Sequence, residues 1–211
     1  DRIRSRGLGD VYKRQDDTVN ATLETNQLRQ LDQQHHLHPF TDFRDYAKNG
    51  GRIVSRAEHI YIYDSDGNKI QDAMSGLWCC SLGYSQDGIK KAVADQLLEL
   101  PFYNNFFKCS NQPAVELATR LCDMAPANFN RVFFTNSGSE ANDTQIKFVH
   151  RYYELLGKPS KRLIISRKNA YHGSTIAAAS LGGMSAMHEQ TQGLDYIRHI
   201  EQPYCSSWVA I

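Results

Sequence analysis

Residues 133–142 read Phe-Phe-Thr-Asn-Ser-Gly-Ser-Glu-Ala-Asn, a run whose residue types and spacing can hold an anion. Ser137 and Glu140 stand in the S-x-x-E relation of a capping box, which makes Ser137 the expected N-cap of a helix. Gly138 and Ser139 then fall at the first two helical positions, whose backbone N–H groups have no intrahelical partner. Gly138 has no side chain to keep a ligand away from the backbone. A helix start of this kind suits a phosphate, since its amides and its dipole both favour negative charge. An ordinary capped helix with nothing bound accounts for the same ten residues.

The flanking elements must position that turn. Residues 131–135, Arg-Val-Phe-Phe-Thr, have the β-branched and aromatic composition of a buried strand. Ala141, Gln145, Phe148, Val149, Tyr152 and Leu156 recur at helical spacing as a mainly apolar stripe. Gly157 is placed to end that helix and Pro159 follows it. Residues 162–166, Arg-Leu-Ile-Ile-Ser, are a second apolar strand run. Strand, helix and strand in this order predict a βαβ unit with a parallel sheet. Ligands bind such sheets at the carboxyl ends of the strands, so residues 136–140 and 169–173 should face one crevice.

Asn136-Ser137-Gly138-Ser139-Glu140-Ala141-Asn142-Asp143, followed by Asn169-Ala170-Tyr171-His172-Gly173, resembles the class III (ω-) aminotransferases. These are pyridoxal-phosphate (PLP) enzymes of fold type I. The resemblance runs from about residue 28 to about residue 204. It includes His38-Pro39-Phe40-Thr41-Asp42-Phe43, Ser75-Gly76-Leu77-Trp78 and His199-Ile200-Glu201-Gln202-Pro203-Tyr204. It implies an α/β fold: the front half of the large PLP domain plus the N-terminal part of the small domain. It also implies site residues. Ser137, Gly138 and Ser139 match positions that hold the cofactor phosphate. Tyr171 matches the aromatic residue that stacks on the pyridine ring, and His172 and Gly173 complete that turn. A loop histidine also accounts for His172. Trp78 matches a wall of the amine-substrate pocket and Phe40 resembles a second wall residue; for a tryptophan in isolation, core packing is the commoner explanation.

In this family the Schiff-base lysine and the carboxylate facing the pyridine nitrogen are expected beyond residue 211. None of the ten lysines, Lys147, Lys161 and Lys168 included, has the family's lysine context, so no catalytic residue is assigned. The expectation is a fragment without turnover on its own, drawn from a homodimeric parent that uses an amine donor and a keto-acid acceptor. Ser174-Thr175, Ser180-Leu181-Gly182-Gly183-Met184 and Met187-His188-Glu189-Gln190 resemble the putrescine (diamine)–pyruvate subgroup, with the β-alanine and taurine subgroups as close alternatives. Gly182-Gly183 also reads as a mobile surface turn and the two methionines as loop packing.

Hydrophobic residues make up 41% and charged residues 22% of the chain, which fits a globular protein of the cytoplasm. The formal net charge of +1 supplies no electrostatic case for nucleic acid or an anionic membrane. No apolar run approaches the roughly 18–20 residues that span a bilayer. Cys79, Cys80, Cys109, Cys122 and Cys205 are odd in number and lack C-x-x-C spacing, against both a zinc site and a disulfide scaffold. His35, His36 and His38 cluster without a spaced second ligand group and read as a solvated segment, so no metal is expected. A nucleotide-binding domain would want G-x-G-x-x-G or G-K-[ST] after a strand, and a serine hydrolase G-x-S-x-G; neither pattern accompanies Ser137, Ser139 or His172.

The expected organisation follows. Residues 1–15 carry a net +3 and match no family segment, so they are read as non-native. Residues 16–74 hold a short polar helix over 26–34, an extended aromatic segment through Phe43, and strands near 53–54 and 60–63. Ser65-Asp66-Gly67-Asn68 signals a hairpin leading to 69–72. Residues 75–204 belong to the large domain, with helices led by Asp87 and by Pro113, and 205–211 leave the family pattern.

Overall fold

Asp64 is the reason the chain turns where Ser65-Asp66-Gly67-Asn68 predicts a hairpin. Its buried carboxylate accepts from the Asn68 N–H at 2.8 Å, the Asp66 N–H at 3.1 Å and the Asn68 side-chain amide at 3.0 Å. These bonds, that of the Asn68 side chain first, outweigh burial and hold the carboxyl below its usual pKa. A computed structural model describes residues 24–190 and 193–203; the expectations for residues 1–15 and 205–211 lie outside them. The chain divides into two units after Tyr103.

In the first unit, α1 (Thr25–His35) and α2 (Phe43–Asn49) precede an antiparallel sheet of β1 (Val54–Glu58), β2 (Tyr61–Asp64) and β3 (Lys69–Gln71), in the order β1-β2-β3. Ile62 faces Ile70 across β2 and β3. The extended segment expected through Phe43 stops short. Asp42 caps α2, its Oδ1 accepting from Arg44 N–H at 2.9 Å, so Phe43 is already helical. Residues 75–78 form a short turn with positive φ throughout. Helix α3 (Asp87–Glu99) takes Gln86 as its N-cap, one residue before the expected Asp87. Asp87 still meets the positive end of the helix dipole.

In the second unit, α4 (Gln112–Met124) starts from Asn111, whose side chain accepts from the Ala114 N–H at 3.1 Å. Helix α5 spans Gly138–Leu155. It ends in a Schellman motif: Gly157 N–H donates to Glu154 O and Lys158 N–H to Tyr153 O, both at 2.9 Å. β4 (Ile164–Arg167), α6 (Ile176–Leu181), α7 (Ser185–His188) and β5 (Ile197–Ile200) follow, and β4 and β5 pair in parallel with Ile164 opposite Ile197.

Two expectations are corrected here. Residues 131–135 are not a strand, because no described strand lies beside them to complete a ladder. The parallel pair is therefore formed by β4 with the later β5, and α6 and α7 lie in the crossover. The stripe of α5 that packs inward is also different. Ile146 and His150 are buried, whereas Phe148, Val149 and Tyr152 stay exposed among the described residues. The inward face is set by α6, whose Ala178, Ala179 and Ser180 are small enough to be buried where it packs against α5 and the sheet. Burying Ile146 contributes about 2–3 kcal/mol. His150 shares this face because its Nε2 bonds the Arg162 carbonyl at 3.0 Å and its ring meets Tyr196 edge-on. Among the described residues, no helix is long and apolar enough to cross a membrane.

Candidate functional site

The start of α5 is built as its sequence predicts. Ser137 is the N-cap, and its Oγ accepts from the Glu140 N–H at 3.2 Å. The reciprocal arm of the box is displaced by one residue: the Glu140 carboxylate accepts from the Asn136 N–H at 2.8 Å. Thr135 Oγ1 donates to the Ser137 carbonyl at 3.0 Å, fixing the entry to the helix. Among the described residues the Gly138 and Ser139 N–H groups meet no acceptor. A Cβ placed on Gly138 would find no other atom within 4 Å. The cradle is thus open, amide-lined and set at the end of an 18-residue helix dipole.

The segment after β4 is drawn onto this helix start by three side-chain bonds. Asn142 Nδ2 donates to the His172 carbonyl at 2.7 Å, Ser139 Oγ accepts from the Ser174 N–H at 3.1 Å, and Thr175 Oγ1 donates to Asp143 Oδ1 at 2.8 Å. Gly173 lies where the two segments touch. Its φ of +127° is a glycine conformation, and an added Cβ would fall 2.3 Å from Ser139 Oγ and 2.9 Å from Ser139 Cα. His172 and Gly173 are therefore joined to the helix start through Asn142 and Ser139, with Tyr171 directly before them in the chain. Asn142, Asp143, Ser174 and Thr175 make this junction; the sequence motifs contain them, but their joining role was missed. Polar residues on the inward face of the first helical turns were the available signal.

Other predicted groups are placed elsewhere. Gly182-Gly183 is a pinned junction and not a mobile surface turn: Asn169 N–H donates to Gly183 O at 3.0 Å and Gly183 N–H to Ala170 O at 2.8 Å. Lys168 pairs with Glu201, and Lys161 stands 4.3 Å over the Tyr153 ring. A cavity of about 570 Å³ opens after β4 and β5, lined by Lys168, Asn169, His188, His199, Glu201 and Gln202 among others. It includes none of the predicted site residues.

Phe40 and Trp78 belong to the first unit. Phe40 is 74% and Trp78 85% exposed. Trp78 ends a run of four positive φ values, Ser75 51°, Gly76 59°, Leu77 58° and Trp78 69°. Each non-glycine residue held there costs roughly 1–2 kcal/mol. The histidine segment is not merely solvated. Asp32 gathers it, bonding His36 Nδ1 and His38 Nε2 at 2.9 Å each, with Tyr46 Oη as a further donor. Burial raises the Asp32 pKa, but the two histidine bonds prevail and leave it lowered. The ligand atoms of Asp32, His36 and His38 lie within 4.8 Å of one another, a spacing that could hold a metal ion.

The Aminotransferase class-III family model matches residues 45–205. The chain belongs to the class III aminotransferases. A putrescine–pyruvate aminotransferase of Pseudomonas aeruginosa is 50% identical over 182 residues, covering 86% of this chain and 40% of the relative. A probable mitochondrial gamma-aminobutyrate transaminase 2 of Oryza sativa subsp. indica is 50% identical over 137 residues, covering 64% and 28%. The solved omega transaminase of Pseudomonas jessenii in complex with PMP is 44% identical with a TM-score of 0.82, covering 84% of this chain and 39% of that one. The chain thus spans 40% or less of the length of these relatives. Its fold is that of the fold type I, PLP-dependent transaminases. The residues present fit the family's cofactor in one respect: the open N–H groups of Gly138 and Ser139 at the start of α5 could take a phosphate.

Proposed function

We propose that the whole protein is a PLP-dependent aminotransferase that moves an amino group from a putrescine-like amine to pyruvate or a similar keto acid. The observation that carries this reading is the joining of the α5 start to residues 172–175 through Ser139, Asn142 and Asp143. When bound, PLP supplies an electron sink at the donor carbon. This chain's residues bind and orient it. The Gly138 and Ser139 amides and the Ser137 and Ser139 hydroxyls hold the phosphate, and Tyr171 stacks on the ring. His172 and Gly173 shape the turn that carries Tyr171. Trp78 and Phe40 wall the amine pocket and exclude water. A homodimer in the cytoplasm belongs to the same reading.

Support for the donor is the relative named putrescine–pyruvate aminotransferase. The equal identity to a relative named gamma-aminobutyrate transaminase favours an ω-amino acid as the second reading; β-alanine and taurine belong to that class. Putrescine, gamma-aminobutyrate, β-alanine and taurine competing for the full-length protein, with pyruvate as acceptor, separate the two. The expected result is the highest kcat/KM with putrescine. A higher value for any of the three amino acids would overturn the donor, and no turnover with any of them would overturn the activity.

A further inference from the structure

Trp78 does not reach its conformation unaided. Three non-glycine residues of its turn lie in the left-handed region, which the Cβ of any L residue disfavours and which persists only when surrounding groups over-determine it. The over-determination is visible in one carboxylate. Asp72 Oδ1 accepts from the Met74 N–H at 3.1 Å, and Oδ2 accepts from the Gly76 N–H at 2.7 Å and from the Tyr84 hydroxyl. The turn then closes on itself, with Trp78 N–H donating to Met74 O and Cys80 N–H to Ser75 O, both at 2.8 Å.

Both halves of this clasp are fastened to the three-stranded sheet. Asp72 directly follows β3, and its N–H donates to Ile60 O at 2.9 Å. Tyr84 is tied to the turn between β1 and β2, its N–H donating to His59 O at 2.8 Å, while Ser85 Oγ accepts from the His59 N–H at 2.8 Å. Gly76 fills the space between: a Cβ there would stand 3.2 Å from Tyr84 Oη and 3.3 Å from Cys80 Sγ.

We infer that Asp72 and Tyr84 are positioning residues that hold the left-handed turn and so fix Trp78 as a specificity-determining wall for the amine substrate. The first part stands on the geometry of the clasp; the second rests on the reading of Trp78 proposed above. The bond from Tyr84 and those from the Gly76 and Met74 amides keep the Asp72 carboxyl below its usual pKa, so the carboxylate form that accepts them is the one present at neutral pH. Asp72 touches no substrate in this account and acts only through Trp78.

Two measurements separate the parts. Amide hydrogen exchange on the full chain reads the turn itself. In Asp72→Ala, protection of the Gly76 and Trp78 amides should fall by about tenfold or more, with Ile62 and Tyr63 in the sheet unchanged. Asp72→Asn should fall less, since one carbonyl oxygen remains to accept. Unchanged protection in Asp72→Ala would overturn the clasp. Steady-state kinetics of the full-length protein read the consequence: Asp72→Ala and Tyr84→Phe should raise KM for the amine, by about tenfold for Asp72→Ala, with kcat within about threefold. Trp78→Ala serves as the reference. If Trp78→Ala raises the amine KM and Asp72→Ala does not, positioning is overturned. If Trp78→Ala itself leaves KM unmoved while exchange in Asp72→Ala rises as expected, it is the pocket-wall reading that fails and the clasp remains.

Discussion

The start of α5 and the turn at Trp78 are both short backbone devices that present a functional group, but they are built in opposite ways. At Ser137–Glu140 the chain adopts ordinary right-handed helix geometry, and the useful feature is what that geometry leaves over: unpaired amides. At Ser75–Trp78 the geometry itself is the costly part, and Asp72 and Tyr84 must hold it. A device made of leftover donors needs space in front of it. A device made of disfavoured dihedrals needs partners behind it. Substitutions should therefore act through contact with the ligand at the first and through backbone stability at the second, with Gly173 as the position where the cradle also depends on packing.

The largest effect is expected from Gly173→Ala. The new Cβ would overlap Ser139 Oγ and Cα, and lie 2.8 Å from Ala178 Cβ, at a φ that alanine does not tolerate. Strain and overpacking together should cost about 3 kcal/mol, read as a shift in the urea midpoint. A wild-type midpoint would show that the α5 junction yields more easily than its distances imply. Gly76→Ala comes next. Its φ is also positive, but the contacts at 3.2 and 3.3 Å are side-chain atoms able to give slightly, so about 1–2 kcal/mol is expected. Gly138→Ala should behave in the opposite sense. No atom blocks its Cβ, so folding stability should hold or rise by about 0.5–1 kcal/mol. PLP affinity of the full-length protein, followed by cofactor absorbance, should still drop by about tenfold. Lost stability with unchanged affinity would reverse the distinction between the two devices.

That contrast also explains what could be read in advance. Ser137, Glu140 and Gly157 govern their own neighbourhoods, so the limits of α5 follow from local rules, and Asp64 with Gly67 does the same for the hairpin. Residues 131–135 have the composition of a strand, yet a strand exists only with a partner, and composition carries no information about partners. The apolar stripe of α5 was assigned to the wrong side for a related reason. The buried face is decided by where Ala178 and Ser180 come to lie, 30 and more residues away in sequence from Ile146. Asp32 and Asp72 stayed hidden as well, because an aspartate that gathers donors is indistinguishable in sequence from one on a solvated surface. The helix spacing between Asp32 and His36 was the one clue to the first. For the second there was none beyond Gly76.

The smallest expected effect concerns pH, and it bears only on the turn. The hydrogen bond to Asp72, followed by burial, pushes the Tyr84 hydroxyl from 10.0 up to about 12, while the Cys80 thiol adds a like-signed influence when ionised. Asp72 is shifted the other way, below its ordinary 3.8. A group whose pKa is raised on folding contributes stability that is complete below its unfolded value and vanishes as pH rises through its folded value. A group whose pKa is lowered contributes above its unfolded value and loses that contribution as pH falls through the folded one. The clasp should therefore be constant from above 3.8 to below 10.0, weakening only outside that window. Exchange at the Gly76 amide, compared between neutral pH and pH near 11 after correction for intrinsic rates, should show the alkaline loss. Tyr84→Phe should lack the part of that loss set by Tyr84 and keep the acid one, and Asp72→Asn should lack the acid loss while keeping an alkaline one. An alkaline loss of full size in Tyr84→Phe would assign it to Cys80, and the hydroxyl would then be a bystander to the turn.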